Sequence, residues 1–356
     1  MIYKERHELL KRAILLIIIV ATFLFSGCVM STPEAPSIHE ESGLTVYFID
    51  VGQADSSLVI CDGHAMLIDG GNAADSDLIY TFLREHKVNH LDYIVATHAH
   101  EDHIGGLAGA LNYATVDIAY CPVDEYDSKA FSSFVKYLGE QGKAITIPRH
   151  GDTFILGGSI VDVIAPVKQY DNTNNTSIVL RLTYHDVSFL FTGDCEREAE
   201  ADILESGYEL SATVLKVGHH GSDTSTSYPF LREVMPQYAV ISCGSNNQYG
   251  HPHDDTLSKL RDADVTVFRT DMQGTIICNS DGFTVSFAVD RNADAVTNPT
   301  KPFVSVDEEY YIGNINSKRV HRPSCSGLPN EKNRVLFTTL GEATDAGYTP
   351  CGTCKP

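Results

Sequence analysis

The sequence predicts an α/β protein in which two β-sheets are packed between layers of helices. Its 356 residues are 43% hydrophobic and 21% charged, which is ordinary for a soluble protein with a sizeable core. From Leu44 onward, short β-rich runs are followed by helical patterns, and a second β-rich half begins near Thr146. Sheets in two such halves need cover on both faces, so we expect an αββα sandwich.

The predicted elements follow the chain in a regular order. Strands occupy residues 44–68, and a helix follows at 74–86, where Leu78, Phe82 and Leu83 are spaced for one face. An apolar strand at 91–97 precedes predicted helices at 105–114 and 129–139. Strands then dominate residues 146–192. The remaining elements are predicted helices at 196–206, 229–235 and 255–262, with strands at 212–218, 238–244, 265–270 and 274–289.

The N-terminus has the pattern of an export signal. Four basic residues precede an apolar stretch of 13 residues at 13–25, and Cys28 follows Ser26 and Gly27. The apolar stretch is too short to span the ~30 Å core of a bilayer comfortably, so we favour cleavage and lipidation at Cys28 over a short transmembrane anchor. We therefore expect the chain at the extracellular face of the cell membrane, lipid-anchored or secreted.

Composition divides the rest of the chain into a main domain and a small tail. We predict a signal peptide at 1–28, a polar linker at 29–43, a main domain at 44–290, a second linker at 291–306 and a tail module at 307–356. The net charge is −21, and residues 1–28 carry four basic and two acidic side chains, which leaves −23 for the remainder. A surface this acidic argues against a long basic groove for nucleic acid.

The stretch "ATHAHEDHIGG" at 96–106, called the opening motif below, follows an apolar strand and is rich in side chains that can bind metals. His98 and His100 are two residues apart, so in extended backbone they point the same way and can reach one cation. Asp102 and His103 are adjacent and diverge, which suits a second cation. Imidazole and carboxylate together match zinc, manganese or iron and do not match calcium.

One loop cannot complete two metal sites, and further candidates lie at later strand ends. Asp194 follows the run "FLFTGD", and His219 and His220 follow "VLKVG". We expect these three clusters to converge on one sheet edge. Four residues in early strand-end turns are expected to support the loops: Asp50, Gln53, Asp55 and Asp69.

With these motifs in view, the chain resembles the metallo-β-lactamase fold over about residues 44–289. The series "HAHEDH", "FTGD" and "GHHGS", with "FIDVGQADS" and "MLIDGG" before it, carries the resemblance. More narrowly, "DNTNNTSIVLRL", "YGHPHDDTL" and "FRTDMQGTI" are similar to the extracellular nuclease-like domain of competence DNA-channel proteins of the ComEC type. The family implies a hydrolase with two divalent metal ions, zinc or manganese.

The resemblance also implies roles for individual residues. His98 and His100 would hold the first metal; Asp102, His103 and one of His219 and His220 would hold the second; Asp194 would bridge the two. We favour His219 as the ligand and His220 as a substrate contact. Asp102 could also steer the nucleophile, and His251 could contact a phosphate or protonate the leaving oxygen, although a structural role for His251 is equally consistent with the sequence.

One departure from the family pattern affects the first metal site. Most of the superfamily has another histidine between the opening motif and the bridging acid, whereas this chain has Asn174, Asn175 and Ser177 there. The first site would then be weaker or completed by solvent. We assign Asn175, Ser177 and Ser222 to substrate contacts.

The tail carries His321, Cys325, Cys351 and Cys354 in the pattern His-x3-Cys and Cys-x2-Cys. Three thiolates and an imidazole form a complete set of ligands for a tetrahedral zinc ion. A module of about fifty residues with few apolar side chains needs a structural metal of this kind for stability. The stretch resembles the metal-binding domain of the Ada alkylation-repair protein. A disulfide between two of the cysteines is the alternative, although it would leave the third unpaired.

Together these observations favour an exported, metal-dependent phosphodiesterase or nuclease that binds nucleic acid or another phosphodiester and is tethered to the membrane. Two-metal chemistry suits phosphoryl transfer because the ions activate a water and neutralise developing charge. Two alternatives remain from the sequence. One is hydrolysis of a lactam, lactone or thioester on the same fold, and the other is a non-catalytic lipoprotein that binds DNA or wall polymer.

Overall fold

The computed structural model describes residues 43–299, 310–323, 325 and 327–356. The predicted signal peptide, Cys28 and nearly all of the first linker lie outside the described residues, as do positions 300–306 of the second linker. Within the described part of the chain, no helix is both long enough and apolar enough to cross a membrane.

The main domain has two halves, as expected. The first half runs through β1 (Leu44–Phe48), β2 (Ser57–Cys61), β3 (His64–Ile68), α1 (Ser76–Glu85), β4 (His90–Val95), α2 (Glu101–Ile104), α3 (Leu107–Tyr113), β5 (Thr115–Tyr120), α4 (Lys129–Glu140) and β6 (Ile145–Thr146). The second half runs through β7 (Thr153–Leu156), β8 (Ser159–Ala165), β9 (Val179–Tyr184), β10 (Val187–Phe191), α5 (Arg197–Ser206), β11 (Val214–Lys216), α6 (Tyr228–Val234), β12 (Tyr238–Ile241), α7 (Asp254–Asp262), β13 (Thr266–Arg269) and α8 (Thr270–Gln273).

Two closing strands, β14 (Ile276–Ser280) and β15 (Val285–Val289), return to the first sheet, which has the order β15-β14-β1-β2-β3-β4-β5-β6. The second sheet has the order β13-β12-β11-β10-β9-β8-β7. Strands β3 to β6 are parallel to one another, and so are β10 to β13. The loops that follow these parallel strands collect side chains at their carboxyl ends, where α/β proteins bind ligands.

Three layers of apolar packing confirm the αββα sandwich. Phe48 of the first sheet and Phe191 of the second meet between the sheets, with ring centroids 6.2 Å apart. Ile79 and Leu83 of α1 belong to the layer that covers the outer face of the first sheet. Ile203 of α5 belongs to the corresponding layer over the second sheet. The central strands β2, β3, β10 and β11 are therefore buried on both faces.

The predicted helices at 74–86, 129–139, 196–206, 229–235 and 255–262 are present, with ends shifted by at most two residues. The helix predicted at 105–114 differs, because α2 already begins at Glu101 and α3 continues from Leu107. The motif therefore changes from a bend at His98 and extended backbone at His100 to helix at Asp102 and His103. A Cβ at Gly106 would overlap the carbonyl oxygen of Gly70, so only glycine lets this turn pack closely.

The tail forms a small separate sheet with the order β18-β16-β17-β19. Its elements are β16 (Tyr311–Asn314), β17 (Arg319–His321), β18 (Arg334–Phe337), α9 (Leu340–Asp345) and β19 (Thr349–Pro350). The core of this module is small and consists mainly of Tyr311, Val320, Phe337, Ala343 and Tyr348.

Candidate metal centre

The three clusters of candidate ligands follow β4, β10 and β11, and the fold brings them together. Because β4 belongs to the first sheet and β10 and β11 belong to the second, the site lies where the edges of both sheets meet. The expectation of a single sheet edge is thus corrected. Asp194, which follows β10, stands at the centre of the group.

His98 and His100 form a close pair at the start of the motif. Nε2 of His98 lies 3.0 Å from Nδ1 of His100, so the two rings present different nitrogens to one point. His98 is fully buried. Its Nδ1 lies 3.3 Å from Oγ1 of Thr97 and 3.4 Å from Oγ of Ser177, and these hydroxyls orient the ring.

His103 lies on α2 and is held between two carboxylates. Its Nδ1 lies 2.8 Å from Oδ2 of Asp69, and its Nε2 lies 3.3 Å from Oδ1 of Asp194. Asp69 also accepts hydrogen bonds from the backbone N–H and the hydroxyl of Thr97, at 2.8 and 2.7 Å. Asp69 is therefore a fixed partner behind a candidate ligand, as expected from its place in a strand-end turn.

The two consecutive histidines after β11 diverge around Asp194. His220 is buried, its Nδ1 donates to the carbonyl oxygen of Ser242 at 3.0 Å, and its Nε2 lies 3.4 Å from Oδ2 of Asp102 and 3.7 Å from Oδ2 of Asp194. His219 is partly buried, and its Nε2 also lies 3.7 Å from Oδ2 of Asp194. The geometry therefore favours His220, and not His219, as the partner of Asp102 and His103.

Both histidines have left-handed backbone, with φ of 50° at His219 and 53° at His220. Such a conformation costs on the order of 1–3 kcal/mol for a residue other than glycine, and it persists only when the surroundings enforce it. Because two neighbouring residues share it, the backbone turns sharply and sends the two imidazoles to different sides of Asp194.

The imidazoles and carboxylates of this group shift one another's pKa values. Burial lowers the pKa of His103, but the carboxylates of Asp194 and Asp69 outweigh burial and raise it well above its usual value. Burial raises the pKa of Asp194, but the neighbouring His103 and His220 charges hold it well below its usual value. Burial and the neighbouring His103 lower the pKa of His98, which leaves its ring neutral.

The donor atoms fit divalent metal ions. Donors around a tetrahedral zinc ion are about 3.3 Å apart, given bonds of roughly 2.0–2.2 Å. Four separations between donor atoms of the group range from 3.0 to 3.9 Å and bracket that value. Three buried atoms of the group, Nε2 of His103, Oδ1 of Asp194 and Nε2 of His220, have no hydrogen-bond partner within the described residues. Buried polar atoms without partners are costly, and a bound cation would satisfy these.

A cavity of about 330 Å³ opens onto the donors. His251 lines it, and Nε2 of Gln53 lies 3.3 Å from Nδ1 of His251. Burial, together with the nearby His220 and His219, lowers the pKa of His251 to about 4, so its ring is neutral at neutral pH. A neutral ring suits a hydrogen bond to substrate better than proton donation. The cavity is lined by Gln53, His100, Glu101, Asp102, Asn174, Asp194, His219, His220, Tyr249 and His251.

Three side chains predicted to contact substrate are instead bonded within the protein. Asn175 is buried, and its side chain accepts from the backbone N–H of Glu196 and donates to Glu198. Ser177 is buried, and its hydroxyl accepts from the backbone N–H of Asp194 at 3.0 Å. Ser222 is buried and accepts from the N–H of Thr224. Because these polar atoms are already engaged, the three residues support the site and do not line it.

Two residues at the site were not predicted from the sequence. Lys216 is buried at the end of β11, and its Nζ donates to Oδ2 of Asp55 at 2.6 Å. The Glu196 carboxylate lies 3.3 Å from Nδ1 of His219 and accepts from the side chains of Asn172 and Asn174. A lysine in the apolar run "VLKVG" was the available signal for the first. Glu196 stands among several acidic residues, and nothing in the local pattern distinguishes it.

The tail brings its four candidate ligands together. The donor atoms of His321, Cys325, Cys351 and Cys354 all lie within 4.8 Å of one another. Backbone N–H groups of Arg322 and Thr353 donate to Sγ of Cys354 and Cys351, each at 3.4 Å, an arrangement that stabilises thiolates. All the cysteines within the described residues are free thiols, so the structure does not contain the alternative disulfide.

Comparison with known proteins places both parts of the chain. Residues 301–356 match the metal binding domain of Ada. ComE operon protein 3 of Bacillus subtilis is 32% identical over 65% of this chain and 32% of its own length. Competence protein ComA of Neisseria gonorrhoeae is 30% identical over 72% of this chain and 35% of its own. The chain therefore spans about a third of the length of these relatives.

Among solved structures, the metallo-β-lactamase fold protein YhfI from Bacillus subtilis superimposes with a TM-score of 0.44 at 13% identity, over 67% of this chain and 100% of YhfI. Residues 49–245, more than half of the chain, match the metallo-β-lactamase superfamily model. This matched range contains the opening motif, Asp194 and the His219–His220 pair. The chain therefore belongs to the metallo-β-lactamase superfamily and carries an Ada-like metal-binding module at its C-terminal end.

Proposed function

We propose that the protein is an exported metal-dependent phosphodiesterase that acts on nucleic acid at a site for two divalent metal ions. The observation that carries this proposal is the convergence of the opening motif, Asp194 and His220 on one group of donor atoms, three of which make no hydrogen bond within the described residues. His98, His100 and Asp194 would hold the first ion. Asp102, His103 and His220 would hold the second, with Asp194 between the two.

When bound, two such ions supply an activated water and neutralise charge on a phosphoryl group. The protein's own residues fix the donors. Asp69 holds His103, and the carbonyl oxygen of Ser242 holds His220, so that Nε2 of each ring faces Asp194. His251 and Gln53 at the cavity wall are placed to hydrogen-bond to a substrate oxygen.

Two findings support a nucleic-acid substrate and limit its form. The name of one relative, competence protein ComA of Neisseria gonorrhoeae, refers to competence. The side chains that line the cavity include no lysine or arginine within the described residues, so the protein offers little to a duplex backbone there. A short or single-stranded substrate, held by amides and by stacking on the exposed ring of Tyr249, fits this wall better.

The test is hydrolysis of single-stranded DNA, RNA and bis(p-nitrophenyl) phosphate by the full chain with added Mn²⁺ or Zn²⁺. We expect turnover of a phosphodiester, a loss of at least 100-fold in Asp102→Asn, and wild-type rates in Asp117→Asn, which removes an exposed carboxylate on β5. Turnover of nitrocefin or a lactone without phosphodiester hydrolysis would contradict the proposal and favour another hydrolysis. DNA or wall-polymer binding that survives in Asp102→Ala, with no turnover in the wild type, would favour a binding protein.

We further propose that Cys28 carries a lipid anchor and that the tail binds one structural zinc ion. The N-terminal pattern of basic residues, apolar stretch and cysteine supports the anchor. Mass spectrometry of the protein purified from membranes tests it, because an unmodified N-terminal segment would contradict lipidation. The close set of His321 and three thiols supports zinc in the tail.

A further inference from the structure

The first metal site lacks a histidine where most of the superfamily has one, and the structure shows what the replacing residues do. Asn175 and Ser177 are buried and hold the backbone N–H groups of Glu196 and Asp194. Neither side chain is free to reach a cation. His98, His100 and Asp194 would therefore be an incomplete set unless another segment contributes a donor.

His219 lies beside the segment that lacks the histidine. The Glu196 carboxylate joins them, since Oε1 of Glu196 lies 3.3 Å from Nδ1 of His219 and accepts from Nδ2 of Asn174 at 3.2 Å. The imidazole of His219 therefore occupies the face of the site that Asn174 borders. Both residues line the same cavity.

The free nitrogen of His219 points to the centre of the site. Its Nε2 lies 3.7 Å from Oδ2 of Asp194, the same oxygen that lies 3.9 Å from Nε2 of His98. On the other side of the ring, Nδ1 is near Oγ1 of Thr224 at 3.1 Å as well as Glu196. A histidine with one nitrogen held by a carboxylate and the other directed at a shared acidic oxygen has the arrangement of a metal ligand.

The backbone supports the same assignment. His219 and His220 both adopt a left-handed conformation, which side-chain-bearing residues avoid. In this conformation the neighbouring rings separate, so His220 faces Asp102 while His219 faces Asn174 and Glu196. One turn thereby provides a donor for each of two ions.

We propose that His219 completes the first metal site in place of the missing histidine, and that Glu196 is the positioning residue that aims it. This inference rests on the two-metal centre of the proposed function and does not depend on the substrate. It explains how the site can be complete although residues 172–177 provide no imidazole.

The test is the metal content and metal affinity of the full chain, with elemental analysis after dialysis against buffered Zn²⁺. We expect three zinc ions per wild-type chain, two in the main domain and one in the tail. His219→Ala should retain two, and His98→Ala/His219→Ala should also retain two, because both changes remove the same ion. His253→Ala is the matched control, since this nearby histidine does not line the cavity and its ring bonds to backbone groups of Asp223 and Tyr249. It should retain three.

Glu196→Gln keeps the His219 ring and tests the positioning role. We expect its first zinc ion to bind about 10–100-fold more weakly while the other two ions keep wild-type affinity. Circular dichroism that matches the wild type shows that each variant is folded. Three zinc ions of unchanged affinity in His219→Ala would overturn the inference, and so would a wild-type main domain that binds one ion. Two bound ions without hydrolysis of any phosphodiester would overturn only the proposed substrate class.

Discussion

Lys216 and Asp55 form a buried ion pair directly behind the candidate metal centre. Their side chains are 3% and 6% exposed, and Nζ of Lys216 lies 2.6 Å from Oδ2 of Asp55. Asp55 in turn groups with Asp194 and His220, and with Asp69 and His103. Lys216 thus supplies a fixed positive charge beneath a cluster of carboxylates.

Replacing Lys216 with methionine keeps most of the side-chain volume and removes the charge. Asp55 would then be a buried carboxylate without its cation, a change that costs about 3–5 kcal/mol in comparable pairs. We expect Lys216→Met to lower the free energy of unfolding of the metal-free protein by this amount. The loss should be smaller with metals bound, because the ions near Asp194 supply positive charge close to Asp55.

Urea denaturation followed by far-ultraviolet circular dichroism is the assay, since the chain contains no tryptophan. Lys216→Met/Asp55→Leu is the companion variant, because removing both partners leaves no unpaired charge and should cost less than the single change. A single variant within about 0.5 kcal/mol of the wild type would refute the reasoning, since surface substitutions have effects of that size.

Three further predictions concern other parts of the molecule. Gly106→Ala should destabilise the main domain by about 1–3 kcal/mol, because the new Cβ would overlap the carbonyl oxygen of Gly70; thermal denaturation measures this, and an unchanged melting temperature would contradict it. Ser177→Ala should cost about 1–3 kcal/mol in urea denaturation, because the buried N–H of Asp194 loses its acceptor; wild-type stability would show that another group replaces the hydroxyl. Cys351→Ser should remove one zinc ion and leave the hydrolysis of bis(p-nitrophenyl) phosphate unchanged. Retention of that ion would exclude Cys351 as a ligand.

The sandwich and most of its helices could be predicted because local patterns agree with the final packing. The helix at 129–140 has a serine N-cap at Ser128 and buries Phe131, Phe134 and Leu138 on one face, as helical spacing requires. The start of α2 at Glu101 could not be predicted in the same way. The turn after α2 packs Gly106 against the carbonyl oxygen of Gly70, a contact between distant parts of the chain that no local pattern shows.

The candidate site was visible in the sequence to the extent that its residues are clustered along the chain. The opening motif, Asp194 and the histidine pair all stand out at strand ends, and the structure brings them together. The sequence did not show which of His219 and His220 faces Asp102, because the directions of the two rings depend on backbone torsions in a four-residue turn. Lys216 and Glu196 were missed because each acts on a residue distant in the chain, Asp55 in one case and the Asn172–Asn174 turn in the other.

The central claim is that bound metal ions at this site drive phosphodiester hydrolysis. The most direct measurement is the rate of hydrolysis of single-stranded DNA and bis(p-nitrophenyl) phosphate while Mn²⁺ or Zn²⁺ is titrated into the metal-free protein, with Asp194→Asn beside it. We predict no activity without metal, a rise that saturates when the main domain holds two ions, and no rise in Asp194→Asn. Single-stranded DNA and bis(p-nitrophenyl) phosphate that both stay intact at full metal occupancy would contradict the claim.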